Sequence, residues 1–356
     1  MFTIFVINPG STSTKLALYQ GAEDETPVLR CQETIRHSTE ELDRHPRPQD
    51  QLELRLEAAR RFLTAQGTGS IQMLSARGGL VKPLASGCYG VNEAMLEDLR
   101  GNRFGAHASN LGAQIAHALA GELRCPAMIA DPVGVDEFTP LARYTGFPGM
   151  LRRSQSHTLN IRATAGRLAR ELGRSLESLR LVVAHLGGGI SIAPLHEGRI
   201  LDVNNANDGG PFSAQRCGSL PTTQLVELAF SGRYRDASEL NRVLTTQSGL
   251  LGLLGSDDGR EVIRRIEAGD ERAQEVFRAM AYQIAKEIGA MATVLYGRVD
   301  WILLTGGLAH PPLTDWIGQR TDWIAPLRVY PGEDEMLALA EAGLRVLLGR
   351  AALKEY

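Results

Sequence analysis

Two segments rich in Gly, Ser and Thr lie half a chain apart, and they constrain the fold more than any other feature. In each, at residues 4–19 and 181–192, an apolar and β-branched run enters a tight turn and is followed by a return strand. This pattern is typical of a β-hairpin. Because Ile4 and Val182 are 178 positions apart in a chain of 356 residues, the simplest interpretation is a duplicated domain.

The two turns are candidate anion-binding sites. Asn8, Ser11 and Ser13 belong to the first turn, and the glycines Gly187, Gly188 and Gly189 form the second. Small residues leave backbone N–H groups uncovered, and such groups form concave anion-binding nests. Two turns of this kind facing one cleft would suit a nucleoside triphosphate.

Length and charge favour a two-domain enzyme. Single cores rarely grow beyond about 250–300 residues, so we expect one domain over residues 1–150 and a second over residues 151–356. The boundary should fall between about 135 and 160, and the last helix, at 335–348, is a candidate to pack back on the first domain. The chain has 38 basic and 41 acidic residues, and their scattered arrangement argues against nucleic acid as a principal partner.

Cysteine spacing and hydropathy argue against a disulfide-rich, zinc-binding or membrane protein. Cys31, Cys88, Cys125 and Cys217 form no C-x-x-C pair, so we expect buried structural thiols rather than disulfides or a zinc site. The sequence has neither a signal peptide pattern nor an apolar run of about 18 residues. A cytoplasmic protein with no membrane partner is therefore the expectation.

Helical periodicity indicates several long elements. The pattern predicts helices at residues 51–65, 93–100, 110–123 and 270–296, with Asn92 and Ser109 as N-caps of the second and third. A buried strand at residues 301–304 then leads into a turn at Gly306 and Gly307. This junction is a third place where the backbone could approach a nucleotide.

The motifs together resemble the acetokinase family. The resemblance runs over nearly the whole chain, through the segments at residues 8–15, 76–79, 185–191, 211–221, 248–252, 256–260, 304–307 and 330–335. It implies an α/β fold of two duplicated actin-like ATPase lobes (ribonuclease H-like) with an interlobe active-site cleft. The same fold occurs in acetate kinase, sugar kinases, the Hsp70 ATPase domain and actin.

The resemblance also implies an activity. It points to ATP- and Mg²⁺-dependent transfer of the γ-phosphoryl group to a small carboxylate, giving an acyl phosphate and ADP, and it is strongest to the members that act on butanoate. Acetate, propionate and branched-chain acids are alternative acceptors. An actin- or Hsp70-like ATPase without kinase activity is a further alternative, but we see no additional substrate domain. A homo-oligomer, dimeric or larger, is implied by resemblance alone.

Phosphoryl transfer to a carboxylate calls for cations rather than a base. A carboxylic acid of pKa about 4–5 is already ionised at neutral pH, so the enzyme must neutralise two anions and a charged transition state. Lys15 could act on the phosphates or be a solvated strand residue, and Arg77 lies beside a pair of glycines. Arg216 could bind the acyl substrate and transition state or form a surface salt bridge, and Arg153 stands where acetate kinases carry a histidine.

The remaining candidates would bind metal or nucleotide. Mg²⁺ takes one or two protein carboxylates, and the resemblance suggests Asp131 and Glu335, although Glu335 could equally be a charge favoured at a helix start. His185, with the glycines after it, would approach the phosphates, or could be an ordinary strand histidine. Asp258 and Arg260 match family residues near the adenosine, while Gly306 and Gly307 would close over the α-phosphate or ribose.

Overall fold

The computed structural model describes every residue except Asp24, Glu25 and Thr68, and it divides into two compact units. The first unit comprises Met1–Asp136 and Asp334–Tyr356, and the second comprises Glu137–Glu333. Each unit is a mixed α/β structure built around one sheet, as the sequence predicts.

The strands and helices are numbered here in chain order. The strands are β1 (Phe2–Pro9), β2 (Ser13–Gly21), β3 (Val28–Arg36), β4 (Met73–Arg77), β5 (Cys88–Gly90), β6 (Ala127–Ala130), β7 (Leu181–Leu186), β8 (Ile190–His196), β9 (Arg199–Ile200), β10 (Trp301–Gly306), β11 (Leu327–Pro331) and β12 (Leu353–Lys354). The helices are α1 (Thr39–Arg44), α2 (Leu52–Gln66), α3 (Glu93–Arg100), α4 (Asn110–Leu123), α5 (Thr158–Glu171), α6 (Thr222–Ala229), α7 (Ala237–Thr246), α8 (Gly249–Leu254), α9 (Gly259–Glu267), α10 (Glu271–Val294), α11 (Leu313–Thr321) and α12 (Glu335–Leu347).

The two sheets repeat one topology, which confirms the duplication. In the first unit β1 pairs antiparallel with β2, β2 pairs with β3, and parallel pairing continues from β1 to β4 and β6. In the second unit β7, β8 and β9 form the same antiparallel meander, and β10 and β11 add in parallel. The strand orders are β12-β5-β6-β4-β1-β2-β3 and β11-β10-β7-β8-β9. Both glycine-rich segments are therefore hairpins at equivalent positions.

Strand alternation explains how each sheet is buried. In the second unit, Val182 and Ala184 face a core shared with α10, whereas Leu181 and Val183 face a core shared with α5. In the first unit, α2 and α4 cover one face. The other face receives α12, where the Ser75 hydroxyl donates to a carbonyl of that helix at 2.7 Å. Burial on both faces accounts for the continuous apolar runs of the parallel strands.

The predicted helices form, with one correction to a cap. The Asn92 side chain accepts from the backbone N–H of Met95 and caps α3. Ser109 was the wrong choice for a cap of α4, because its own backbone is already helical and its side chain accepts no capping hydrogen bond. Its hydroxyl lies instead 2.8 Å from Nδ1 of His107.

The units divide after Asp136, at the start of the 135–160 region in which the sequence places the boundary. Glu137 already belongs to the second unit, where its carboxylate accepts from the N–H of Ile200 at 3.0 Å. Phe138 lies in the core of the second unit, and Thr139 donates to the Leu201 carbonyl. These contacts tie the segment after Asp136 to β9.

The four cysteines form no disulfide bonds with one another. Cys88 is buried and the other three are half-buried. Within the described residues, no helix combines the length and hydropathy needed to cross a bilayer.

Candidate active site

The carboxyl ends of three parallel strands bring predicted residues together in the first unit. Asn8 lies near the end of β1, Arg77 ends β4, and Asp131 directly follows β6. The register places Ala76 beside Ile7 and Arg77 beside Ala130. The carboxyl edge of a parallel sheet is where α/β folds bind their ligands.

Glu335 joins Asn8 and Arg77 in a buried polar cluster. Its Oε2 accepts from Asn8 Nδ2 at 2.8 Å and lies 3.2 Å from Arg77 Nη1. Arg77 Nη1 is also 3.5 Å from Asn8 Oδ1. The Glu335 side chain is 4% exposed and that of Arg77 is 21% exposed. Because a buried carboxylate requires compensation, the contacts of Arg77 and Asn8 help to stabilise Glu335 there.

Asp131 contacts the segment before β5. Its φ is +39°, which is uncommon for a residue other than glycine. Its Oδ1 accepts from the Gly87 N–H at 2.7 Å, and its own N–H donates to the Gly87 carbonyl. The segment before β5 therefore fixes the Asp131 carboxylate at the end of β6.

Lys15 lies on the same side of the sheet as Asn8. The two residues are directly opposite in the antiparallel β1–β2 pair, so their side chains share one face. Lys15 is half-buried rather than fully solvated. Ser11 is exposed and Ser13 is half-buried, and the turn is closed by the bond from the Gly10 N–H to the Ser13 carbonyl at 2.8 Å.

A buried arginine beneath this turn was missed in the sequence. Arg55 belongs to α2 and has no exposed surface. Its guanidinium donates to the Ser11 and Ser13 carbonyls and to the Thr14 hydroxyl. In the sequence Arg55 is one polar residue of an amphipathic helix, and only the long-range packing of α2 against the turn shows what it contacts.

In the second unit, a pocket of about 440 Å³ is bordered by the glycine-rich turn. A pocket of this size lies in the range of small-molecule sites. Its lining residues are Gly187, Gly188, Ala214, Gln215, Asp257, Asp258, Gly259, Arg260, Gly307, Leu308, His310 and Glu333. The lining thus includes five of the predicted nucleotide-binding residues.

Close packing explains why this wall of the pocket is rich in glycine. A Cβ at Gly259 would lie 2.4 Å from a methyl carbon of Leu308, and one at Gly306 would lie 2.3 Å from the Leu186 carbonyl oxygen. Gly306 has a φ of +99° and exchanges two backbone hydrogen bonds of 3.0 Å with Gly332. Gly306 therefore fixes the end of β10, while Gly307 reaches the pocket.

Several lining residues were not among the predicted ones. Gln215 Nε2 donates to Asp257 Oδ2 at 2.6 Å, which joins two segments that are distant in sequence. His310 also lies on the wall. A side-chain pair of this kind leaves no periodic signal in a sequence.

His185 is a hydrogen-bonded histidine at the end of β7. It is 1% exposed, its Nδ1 lies 2.8 Å from Asn160 Oδ1, and its Nε2 lies 3.6 Å from Glu333 Oε1. The His157 ring stacks on it with a centroid distance of 3.9 Å. A Cβ at Gly187 would lie 3.0 Å from its Nε2. His185 thus packs against the glycine turn at Gly187.

The guanidinium of Arg216 lies directly against the glycine turn. A Cβ at Gly189 would be 2.6 Å from Arg216 Cζ. The backbone is held by a bond from the Ser213 N–H to the Arg216 carbonyl and by one from the Arg216 N–H to the Ser213 hydroxyl, at 3.0 and 3.2 Å. Partial burial lowers the pKa of Arg216. Within the described residues the Arg216 side chain has no carboxylate partner, so the alternative of a surface salt bridge is not what forms.

Gly189→Ala is expected to lower kcat about 100-fold with little change in stability. The added methyl group meets the far end of a flexible side chain, so the guanidinium moves rather than the backbone. Misplacing a positioning group by about 1 Å can cost that factor. Steady-state kinetics and thermal unfolding test this, with Gly289→Ala as control because a Cβ there meets nothing within 4 Å. Unchanged kcat in Gly189→Ala would show that the Arg216 position is unimportant.

Asp258 and Arg260 begin α9 at the rim of the pocket. The Asp258 side chain accepts from the Arg260 N–H at 2.9 Å, and this bond lowers the pKa of Asp258. The two side chains also form an exposed ion pair at 3.4 Å. Asp258 is thus the N-cap of α9, and both side chains remain accessible to a ligand.

Arg153 is exposed and lies near Asp208. Burial raises the pKa of Asp208, and the charge of Arg153 offsets only part of that rise. The neighbouring Arg152 instead makes contacts within the fold: it donates to the Val203 carbonyl and pairs with Asp202 at 2.9 Å.

A larger cavity, of about 590 Å³, lies elsewhere in the second unit. It is bordered by residues such as Leu141, His196 and Tyr296 and by none of the predicted site residues. Volume alone therefore does not identify the site.

The donor set in the first unit is compatible with Mg²⁺ but not with a closed metal cage. Among the residues that the structure describes, no three His, Cys, Asp or Glu side chains cluster as metal ligands. Mg²⁺ commonly binds one or two carboxylates and takes its other ligands from phosphate and water. Glu335 and Asp131 are the carboxylates at the sheet edge that could serve.

Comparison with known proteins agrees with this geometry. The acetokinase family matches residues 147–311. The chain is 50% identical over 359 residues to the probable butyrate kinase 2 of Caldanaerobacter subterraneus subsp. tengcongensis, and the match covers 100% of each chain.

Solved structures share the fold at low sequence identity. The acetate kinase of Porphyromonas gingivalis superposes with a TM-score of 0.77 at 19% identity and covers 98% of this chain and 100% of that one. A propionate kinase from Francisella tularensis subsp. tularensis gives a TM-score of 0.77 at 17% identity, covering 97% and 100%. These similarities confirm the fold class.

Proposed function

Because the chain belongs to the acetokinase family, we propose that it is an ATP-dependent carboxylate kinase that interconverts butanoate and butanoyl phosphate. The observation that carries the proposal is the guanidinium of Arg216, half-buried against a glycine turn and without a carboxylate partner in the described chain. A desolvated cation of this kind is suited to an anion that arrives with the substrate. The full-length relative named for butyrate kinase supports butanoate as the acceptor.

In this proposal Arg216 binds the acyl carboxylate and stabilises the transferred phosphoryl group. Lys15, Arg77 and Arg153 supply further positive charge, since the loose transition state spreads negative charge over the phosphoryl oxygens. The acceptor carboxylate is already ionised, so none of these residues has to remove a proton. Their task is to position two anions and to offset their repulsion.

We propose that the pocket of the second unit receives the nucleotide. Gly188 and Gly307 are exposed and offer backbone to the phosphates beside Gly187, and Asp258 and Arg260 face the adenosine side. Asn8, Ser11 and Ser13 of the first turn contact a phosphoryl group. The first unit, Met1–Asp136 with Asp334–Tyr356, would form the acyl-substrate and phosphate side, and the second unit, Glu137–Glu333, the nucleotide side.

Mg²⁺ is proposed as the accompanying cation, with Glu335 and Asp131 as its protein ligands, directly or through water. When bound, it would screen the phosphate charges. Glu335 is held in place for this role by Asn8 and Arg77. A homo-oligomeric, cytoplasmic enzyme with no nucleic-acid partner completes the proposal.

The proposal is tested by a panel of acids in a hydroxamate-trapping assay with ATP and Mg²⁺. Butanoate and isobutanoate are expected to exceed acetate in kcat/KM, with propanoate between. Butanoate has two more methylenes than acetate, each worth about 0.8 kcal/mol on burial, which corresponds to roughly a fifteenfold preference.

The panel also separates the alternatives. Equal kcat/KM for acetate and butanoate at subsaturating concentrations would replace the butanoate assignment by a broad short-chain kinase. ATP hydrolysis without hydroxamate from any acid would reject the carboxylate kinase altogether.

A further inference from the structure

The Arg55 side chain is buried directly beneath the first glycine-rich turn. Its Nη1 donates to the Ser13 carbonyl and to the Thr14 hydroxyl, both at 2.9 Å, and its Nη2 lies 3.3 Å from the Ser11 carbonyl. Nε and Nη2 also donate to Gln51 Oε1 one turn earlier in the chain, at 3.3 and 2.8 Å. Every oxygen in this set is uncharged.

The charge of Arg55 is not neutralised by the described part of the chain. Arg55 forms no ion pair there, and desolvation lowers its pKa to about 10, so it is still protonated at neutral pH. Burying a charge without a counter-charge is costly. His37, which shares the Thr14 hydroxyl at 2.9 Å, does not help, because burial and the charge of Arg55 lower the pKa of His37 and leave it neutral.

The contacts of Arg55 also determine which groups of the turn face outward. In a trans peptide the N–H of one residue points away from the carbonyl of the residue before it. Since Arg55 binds the Ser11 carbonyl from beneath, the Thr12 N–H points away from the buried side. Ser11 and Thr12 are both exposed. The turn therefore presents the Thr12 N–H outward, while the Ser11 and Ser13 carbonyls are held inward over a positive charge.

We propose that Arg55 is a positioning residue for phosphoryl binding: it holds the Ser11 and Ser13 carbonyls inward, so that the 11–14 turn stays open toward solvent, and a phosphoryl group at the turn supplies the missing counter-charge. The inference rests on the proposed function for the identity of the ligand, a phosphoryl group of ATP or of the acyl phosphate. A neutral residue of the same bulk would fill the space but would neither bind the carbonyls nor attract the anion.

The test compares three variants of the full chain. Arg55→Met removes charge and hydrogen bonds at similar volume, and Arg55→Lys keeps the charge but cannot bind all the oxygens at once. Arg61→Met makes the same chemical change at an exposed position of the same helix and serves as the control. For each, KM is measured for ATP and for butanoate in the forward direction and for butanoyl phosphate in the reverse direction.

The expected result is selective. Arg55→Met should raise KM at least tenfold for whichever of ATP and butanoyl phosphate places its phosphoryl group at the turn. KM for butanoate, which has none, should stay within about twofold. Arg55→Lys should restore much of the loss, and Arg61→Met should resemble the wild type. Lower thermal stability with every KM unchanged would make Arg55 purely structural and overturn the proposal.

Two further measurements keep the test decisive. If Arg55→Met does not fold, Arg55→Lys carries the test, and an equal change of KM for all three substrates in that variant rejects the proposal. Calorimetric titration with ATP and with adenosine gives a readout that does not depend on turnover. If the wild type turns over no acid, the proposed function fails, while a tenfold weaker Kd for ATP with unchanged adenosine binding in an Arg55 variant still supports Arg55. Unchanged binding of both ATP and butanoyl phosphate in the Arg55 variants rejects it.

Discussion

Arg216→Ala is expected to reduce kcat by about 10²–10³-fold while the protein remains folded. Its guanidinium lies against the Gly189 backbone, and within the described residues no carboxylate neutralises it. Removing a single preorganised donor from a transition state typically costs about 2.7–4 kcal/mol. Because no carboxylate of the described residues pairs with Arg216, its removal strands no such partner and should change stability little.

The kcat of Arg216→Ala is measured by steady-state kinetics in the hydroxamate assay. The stability of the same sample is measured by thermal unfolding. Arg242→Ala, an exposed arginine of α7, is the matched control. Arg216→Lys should recover only part of the rate, since an ammonium lacks the planar fork that binds two oxygens. A folded Arg216→Ala protein with nearly normal kcat would remove Arg216 from the site.

Arg77→Met is expected to lower both stability and activity. The Glu335 carboxylate is 4% exposed and lies 3.2 Å from Arg77, so the variant removes the cation beside a buried carboxyl group. Breaking a buried pair on one side costs about 3–5 kcal/mol, and we expect the lower end because Arg77 is 21% exposed. Activity should fall at least tenfold if Arg77 also contacts the substrate anion.

A double-mutant cycle with Glu335→Gln separates these two effects. In Arg77→Met/Glu335→Gln the buried charge is gone, so stability should recover relative to Arg77→Met, with an interaction energy of about 1–3 kcal/mol between the two positions. Activity should not recover, because both the cation and the carboxylate proposed for Mg²⁺ are lost. Additive stability changes would show that Arg77 and Glu335 do not depend on each other.

Features that depend on neighbouring residues could be predicted from the sequence. Alternation and turn residues predicted the β1–β2 and β7–β8 hairpins, and the helical period placed α10 within a few residues of its bounds. Ser109 shows the limit of such rules. A serine before a helical run predicts a cap, but the backbone was already helical at that residue.

Contacts between distant segments could not be predicted. Asn8, Arg77 and Glu335 were each chosen for their motif, yet only the fold shows that they share hydrogen bonds across 327 positions of chain. Arg55 carried no signal, because arginine is an ordinary residue in an amphipathic helix and its burial follows from the packing of α2 beneath the turn. The Gln215–Asp257 bond was likewise invisible in sequence.

The discontinuity of the first unit imposes an order on biosynthesis. Residues 334–356 belong with Met1–Asp136, so a ribosome completes the whole second unit before it makes α12. Glu335, the carboxylate partner of Arg77, is therefore made only after the second unit. A chain that has not yet reached α12 can form the strands of the first hairpin, but it lacks the helix that covers one sheet face. The buried polar cluster of Asn8, Arg77 and Glu335 can therefore form only after the second unit has been made.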